Sequence, residues 1–154
     1  MPPIRAQSIP ANPTTTSNKS LIMKPPGEVN RPGRGGYAFD RAVGWSPSTL
    51  KEVKIYVKEV VLEELDWSKS FTKQSPAAMD AVRAKVLQKF GWMDVYVNSW
   101  AIDDLVQCRL ALERKSRAQR QTVRLAKKYR EDMQAKLEQA RAVLSSTADA
   151  LQSN

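Results

Sequence analysis

No glycine or proline interrupts the chain from Val97 to Leu144. Those are the two residue types that break helices, so this stretch predicts one continuous helix opening on Asn98 or Ser99. At 1.5 Å per residue it extends roughly 65–70 Å, longer than a small bundle can cover. Ile102, Leu105, Val106, Cys108, Leu110 and Leu112 are apolar nearly all round, as a segment inside a bundle requires. Past residue 112 the helix is expected to leave the core. Asp103 and Asp104 fall near its positive end, where the helix dipole favours carboxylates.

The outer part opens with LERKSRAQRQTVRLAKKYRED, Leu112 to Asp132. With successive residues about 100° apart, Arg114, Arg117, Arg120, Arg124, Lys127 and Lys128 share an arc about 140° wide. Leu112, Ala118, Val123, Leu125, Ala126 and Tyr129 occupy the other side, with Lys115 and Arg130 intruding, and the apolar face continues through Met133, Leu137, Ala140 and Leu144. The helix is amphipathic as well as basic.

Several readings fit such a helix. As a nucleic-acid element its cations follow phosphates. No Asn lies between Glu113 and Asp132, which argues against specific base readout, though Gln119 and Gln121 could reach base edges. As a coiled coil it offers two thin seven-residue series, Leu105, Leu112, Gln119, Ala126, Met133, Ala140 and Val123, Arg130, Leu137, Leu144. A membrane-surface helix would carry bulkier residues than Ala118, Ala126 and Ala140. The remaining alternative is a solvated charged face. Arg114-Lys115 and Lys127-Lys128, separated by eleven residues, have the form of a bipartite nuclear import signal, which a receptor reads from extended chain.

Charge along the chain supports an anionic partner. Residues 1–42 hold six Lys/Arg against two Asp/Glu, residues 43–112 nine against nine, and residues 113–154 ten against five, so the net +9 resides at the two ends. Charged flanks also serve solubility.

Residues 1–36 contain seven of nine prolines and four of six glycines, with Leu21, Ile22 and Met23 their one apolar cluster, so a disordered basic tail over 1–42 is expected. The acid-free, Ser/Thr-rich start suits a transit peptide, but Pro2, Pro3, Pro10 and Pro13 oppose the amphipathic helix one needs. Within the tail, RPGRGGYAF looks like a fragment of an RNA-binding Arg-Gly-Gly segment, but such segments act by repetition, and a single copy reads instead as a flexible hinge before the folded part.

Two Ser-Pro pairs then mark helix starts. After Ser46-Pro47, Leu50, Val53, Val57, Val60 and Val61 keep helical spacing, although KIYVKEVV would also suit a strand. After Ser75-Pro76, Met79, Val82, Val86, Leu87 and Phe90 make a second stripe, which Gly91 is placed to end. Trp67 and Phe71, in the loop between, are expected to fold over the core. The order GWSPSTLKEV, LDWSKSFTKQ, FGWMDVYVNSWAIDDLVQCRLALERKSRAQR resembles a helical module of uncharacterised fungal proteins over about residues 43 to 120; Ala101 stands where such sequences often have Pro. The resemblance implies no activity.

Chemistry is narrowed by what the chain lacks. There is no histidine, which removes His-based triads and zinc sites, and one cysteine can form neither an internal disulfide nor a Cys-rich metal site. Cys108 reads as an inert core thiol in a reducing compartment. Adjacent carboxylates such as Glu63-Glu64 and Asp103-Asp104 diverge by about 100° on a helix; a solvated helix end explains the first pair and helix capping the second. No phosphate-binding glycine loop occurs.

The expectation is therefore an all-α protein: a disordered tail over 1–42, a three-helix unit over 43–112, a projecting basic amphipathic helix over 113–145, and a disordered C-terminus over 146–154. It is expected to be non-enzymatic, with no catalytic residue, metal, cofactor, membrane span or small-molecule substrate. Arg114, Arg117, Arg120, Arg124, Lys127 and Lys128 are the candidate contacts to DNA or RNA, in the nucleus or otherwise the cytoplasm. Val123, Met133, Leu137 and Leu144 are the candidate interface for a homodimer or partner helix.

Overall fold

The computed structural model describes residues 19–153, and the expectations for residues 1–18 lie outside them. The protein is all-α, with no strand among the described residues. Its helices are α1 (Phe39–Val43), α2 (Pro47–Glu64), α3 (Pro76–Lys89) and α4 (Trp100–Gln152), joined in part by short 3-10 turns.

Helix α2 starts where Ser46 Oγ accepts the Thr49 N–H at 3.2 Å and Pro47 takes the first turn. Its β-branched run is helical because burial follows the helical period. Val53, Val57, Val60 and Val61 are buried while Ile55 is 50% exposed, whereas a strand would have placed Val53, Ile55 and Val57 on one face. Helix α3 repeats the start with Ser75 Oγ and the Ala78 N–H, and turns Met79, Val82 and Val86 inward. The third wall is the first part of α4, where Ala101, Ile102, Leu105, Val106 and Leu110 are buried. Trp67 and Phe71 pack on this core as expected.

Gly91 does not cap α3. The helix ends at Lys89 with Phe90 as its cap, and Gly91 opens the 3-10 turn Gly91–Val95, where an added Cβ would meet nothing. The sharp change of direction comes later, at Asn98 (φ 53°) and Ser99 (φ 57°), two left-handed residues directly before α4. Ser99 holds the N-cap position, but its side chain makes no capping bond.

Residues 19–42, expected to belong to a disordered tail, are ordered. From Lys19 onward the chain is an ordered strap against the bundle, because it supplies polar partners to this irregular junction. The Ile22 N–H donates to Val95 O, the Ile22 carbonyl accepts from the Val97 N–H and from Trp100 Nε1, and Val29 and Phe39 enter the core. RPGRGGYAF is neither hinge nor open chain: it closes a loop in which Tyr37 N–H donates to Glu28 O and Asn30 N–H to Tyr37 O. Gly36 is required there, since a Cβ would lie 2.0 Å from the Glu28 carbonyl oxygen, and Gly27 (φ +91°) would bring one within 2.2 Å of Gly35 O.

At the other end, α4 does not stop near 145. The Ser145-Ser146-Thr147 run disfavours a helix only mildly, and Thr147 Oγ1 donates back to Val143 O inside it, so the helix continues to Gln152. At 53 residues it is roughly 80 Å long.

Candidate interaction surface of the projecting helix

The helix leaves the bundle where the sequence placed the exit. Leu110 is 1% exposed, Leu112 is 56% exposed, and every residue from Arg114 to Ser153 is exposed. Beyond the bundle the arm is held by its own backbone bonds and by helix-favouring Ala, Arg, Lys, Gln and Glu.

The basic arc lies on this arm. Among the described residues no carboxylate pairs with Arg114, Arg120, Arg124 or Lys128, and Lys127 faces Glu131 at 3.8 Å, both well exposed. Arg117 differs from the rest: its guanidinium lies 4.7 Å from the Trp67 ring centroid, a cation–π contact tying the arm's base to the loop before α3. Of the two glutamines, Gln121 borders the arc at about 340° and Gln119 sits on the apolar side at about 140°. Lys115 and Arg130 lie on that side too. Both halves of the bipartite pattern, Arg114-Lys115 and Lys127-Lys128, sit within continuous helix, not the extended chain a receptor reads.

The apolar face is equally open. Val123, Met133, Leu137 and Leu144 are 62%, 42%, 56% and 70% exposed, and the bundle covers none of them.

Sequence reasoning missed the polar centre of the molecule. Asp104, read as complementing a dipole, is buried; it accepts from the Tyr37 hydroxyl and, at 3.1 Å, from Lys24 Nζ, so it anchors the strap. Burial, with this carboxylate next, pushes the Tyr37 hydroxyl well above the usual phenol range. Asp103 instead accepts from both Arg83 Nε and Nη2, at 2.8 and 2.9 Å, and these bonds raise the guanidinium pKa further. The one available signal was a carboxylate set among Ile102, Leu105 and Val106, where only a partnered charge is tolerated.

Other groups narrow the chemistry. Burial, and then Asp104, push the half-buried Cys108 thiol up, and Asn30 Nδ2 donates to its sulfur at 3.2 Å. Glu63 and Glu64, expected at a solvated helix end, converge on Lys85 Nζ because the α2–α3 packing brings that cation between them. Among the described residues no three potential metal-binding side chains cluster, and no helix is long and apolar enough to cross a membrane. A cavity of about 160 Å³ is lined by Asn30, Phe39, Lys54, Leu105, Cys108 and Leu112. Compared with known protein families, curated proteins and solved structures, the chain matches none.

Proposed function

We propose that the protein is a non-enzymatic nucleic-acid-associated factor whose basic arm follows phosphates with low sequence preference. The observation that carries this reading is the placement of Arg114, Arg120, Arg124, Lys127 and Lys128 on one arc of a helix standing clear of the bundle, four of them without an acidic partner among the described residues. Free cations on a rigid rod can each release a condensed counterion from DNA or RNA, whereas paired ones would first have to break an ion pair. Arg117, stacked on Trp67, serves to fix the arm's base. With Gln121 the one amide beside the arc, base discrimination is weak.

The test is binding of duplex and single-stranded DNA and RNA across salt. Four to six phosphate contacts predict a roughly 10²- to 10³-fold loss of affinity between about 50 and 200 mM salt. The variant Arg120→Glu/Arg124→Glu/Lys127→Glu keeps its melting temperature and loses binding. No mobility shift at about 50 mM salt, or unchanged binding by the variant, refutes the reading.

The alternative, an adaptor that self-associates through Val123, Met133, Leu137 and Leu144, draws on the exposure of that face. Its flanking charges favour a different partner helix.

A further inference from the structure

From Val123 to Leu151 the apolar face of α4 is one regular seam. Val123, Ala126, Arg130, Met133, Leu137, Ala140, Leu144, Thr147 and Leu151 recur at strictly alternating spacings of three and four, the signature of a helix that packs along another helix. The seam is about 43 Å long. Its leucines strengthen outward, and Leu151 is 77% exposed, so the unpartnered arm keeps in water the side chains that helix pairing buries best.

The charges beside the seam decide what covers it. Lys127, Gln134, Arg141 and Ala148 flank one edge, and Tyr129, Lys136, Val143 and Ala150 the other; neither edge holds an acid, since Glu131, Asp132, Glu138 and Asp149 lie on outer positions. Two parallel copies would set Lys136 against the second copy's Arg141 and stack Arg130 on its counterpart inside the seam. Two antiparallel copies with Met133 opposite Leu137 would set Lys127 against Arg141, and Lys136 against its counterpart. Either self-pairing brings like charges together.

We infer that the seam docks an amphipathic helix of another protein with acidic edges: apolar residues at seven-residue recurrence, Glu or Asp facing Lys136 and Arg141, and a carboxylate reaching Arg130. Such a helix buries the leucines and neutralises both edges at once. The inference draws on the face opposite the phosphate-binding arc, shares only Lys127 with that arc, and is tested through Lys136, Leu137, Arg141 and Leu144, none of which belongs to the nucleic-acid reading.

Three four-heptad peptides test it against the full chain. All carry leucine seams or their scrambled equivalent: one has Glu at both edges and facing Arg130, one has Lys at those positions, and one scrambles the Glu sequence. By fluorescence anisotropy at about 150 mM salt, where long-range charge effects are screened, the ordered Glu peptide binds and the other two bind at least about tenfold more weakly. Leu137→Asp/Leu144→Asp weakens that binding roughly hundredfold without changing the melting temperature, and Lys136→Glu/Arg141→Glu reverses the preference between the Glu and Lys peptides. The protein alone sediments as a monomer at micromolar concentration. Equal binding of the scrambled peptide, or binding that survives Leu137→Asp/Leu144→Asp, overturns the inference. A wild-type dimer that those two substitutions dissolve assigns the seam to a second copy and overturns it as well.

Discussion

Residues 19–110 and residues 111–153 meet within a single helix, yet they are ordered by different forces. Among the described residues the buried apolar side chains lie at or before Leu110: α2, α3, the start of α4 and the strap share one core, and the strap's polar groups serve the kinked junction before α4. Among the described residues after Leu110 no side chain is buried. The arm is a helix because its residues favour helix and nothing breaks it, a weak preference per residue summed over many turns. A substitution in the first region is therefore expected to change stability, and one in the second to leave it nearly unchanged.

The largest expected contrast sets one side chain against another. Phe39→Ala, inside the strap and 2% exposed, is expected to cost about 3–5 kcal/mol in denaturant unfolding, because it leaves a cavity in the shared core. Leu137→Ala, on the arm, should change the same unfolding free energy by less than about 0.5 kcal/mol. Equal effects would erase the distinction between the regions.

Next comes the loop that the sequence presented as a hinge. Gly36→Ala forces a Cβ against the Glu28 carbonyl and is expected to cost about 2–3 kcal/mol, while Gly33→Ala, whose Cβ meets nothing, should be close to neutral. A free hinge would tolerate both.

The smallest effect sharpens the role of the anchor. Tyr37→Phe removes a donor from buried Asp104 and should cost about 1–2 kcal/mol at neutral pH. The Tyr37 pKa is raised in the folded chain, so the native state keeps a proton that the unfolded chain releases near pH 10. This contribution is present below about pH 10 and is lost as the pH rises beyond it. Melting curves between pH 8 and pH 11, as an approximate range, should show stability falling less steeply in Tyr37→Phe than in the wild type.

What was legible followed from local rules. Both Ser-Pro starts, the buried stripes of α2 and α3, and the exit of α4 near residue 112 could be read because caps, periodicity and breakers act over a few residues. The strap could not, since prolines and glycines signal irregular chain whether or not it packs; Val29 and Phe39 become core residues through contacts far away in sequence. Asp104 was hidden for the same reason, its partners lying 67 and 80 residues away. On the arm, the arc and the seam as far as Leu144 followed from angular spacing alone, but Thr147 and Leu151 lie in the stretch expected to be disordered, and they, like the Trp67 contact that sets Arg117 apart, required the fold.

Residue-resolved hydrogen–deuterium exchange of the full chain tests the central claim most directly, because it measures both regions in one sample. Amides of α2, α3 and the first turns of α4 should exchange only through global unfolding, and those from Arg114 to Gln152 by far easier local opening. A saturating duplex at low salt should slow exchange from Arg114 to Arg130 and leave the bundle unchanged. An arm already as protected as the bundle, or protection that rises in α2 and α3 and not in the arm, would contradict the account.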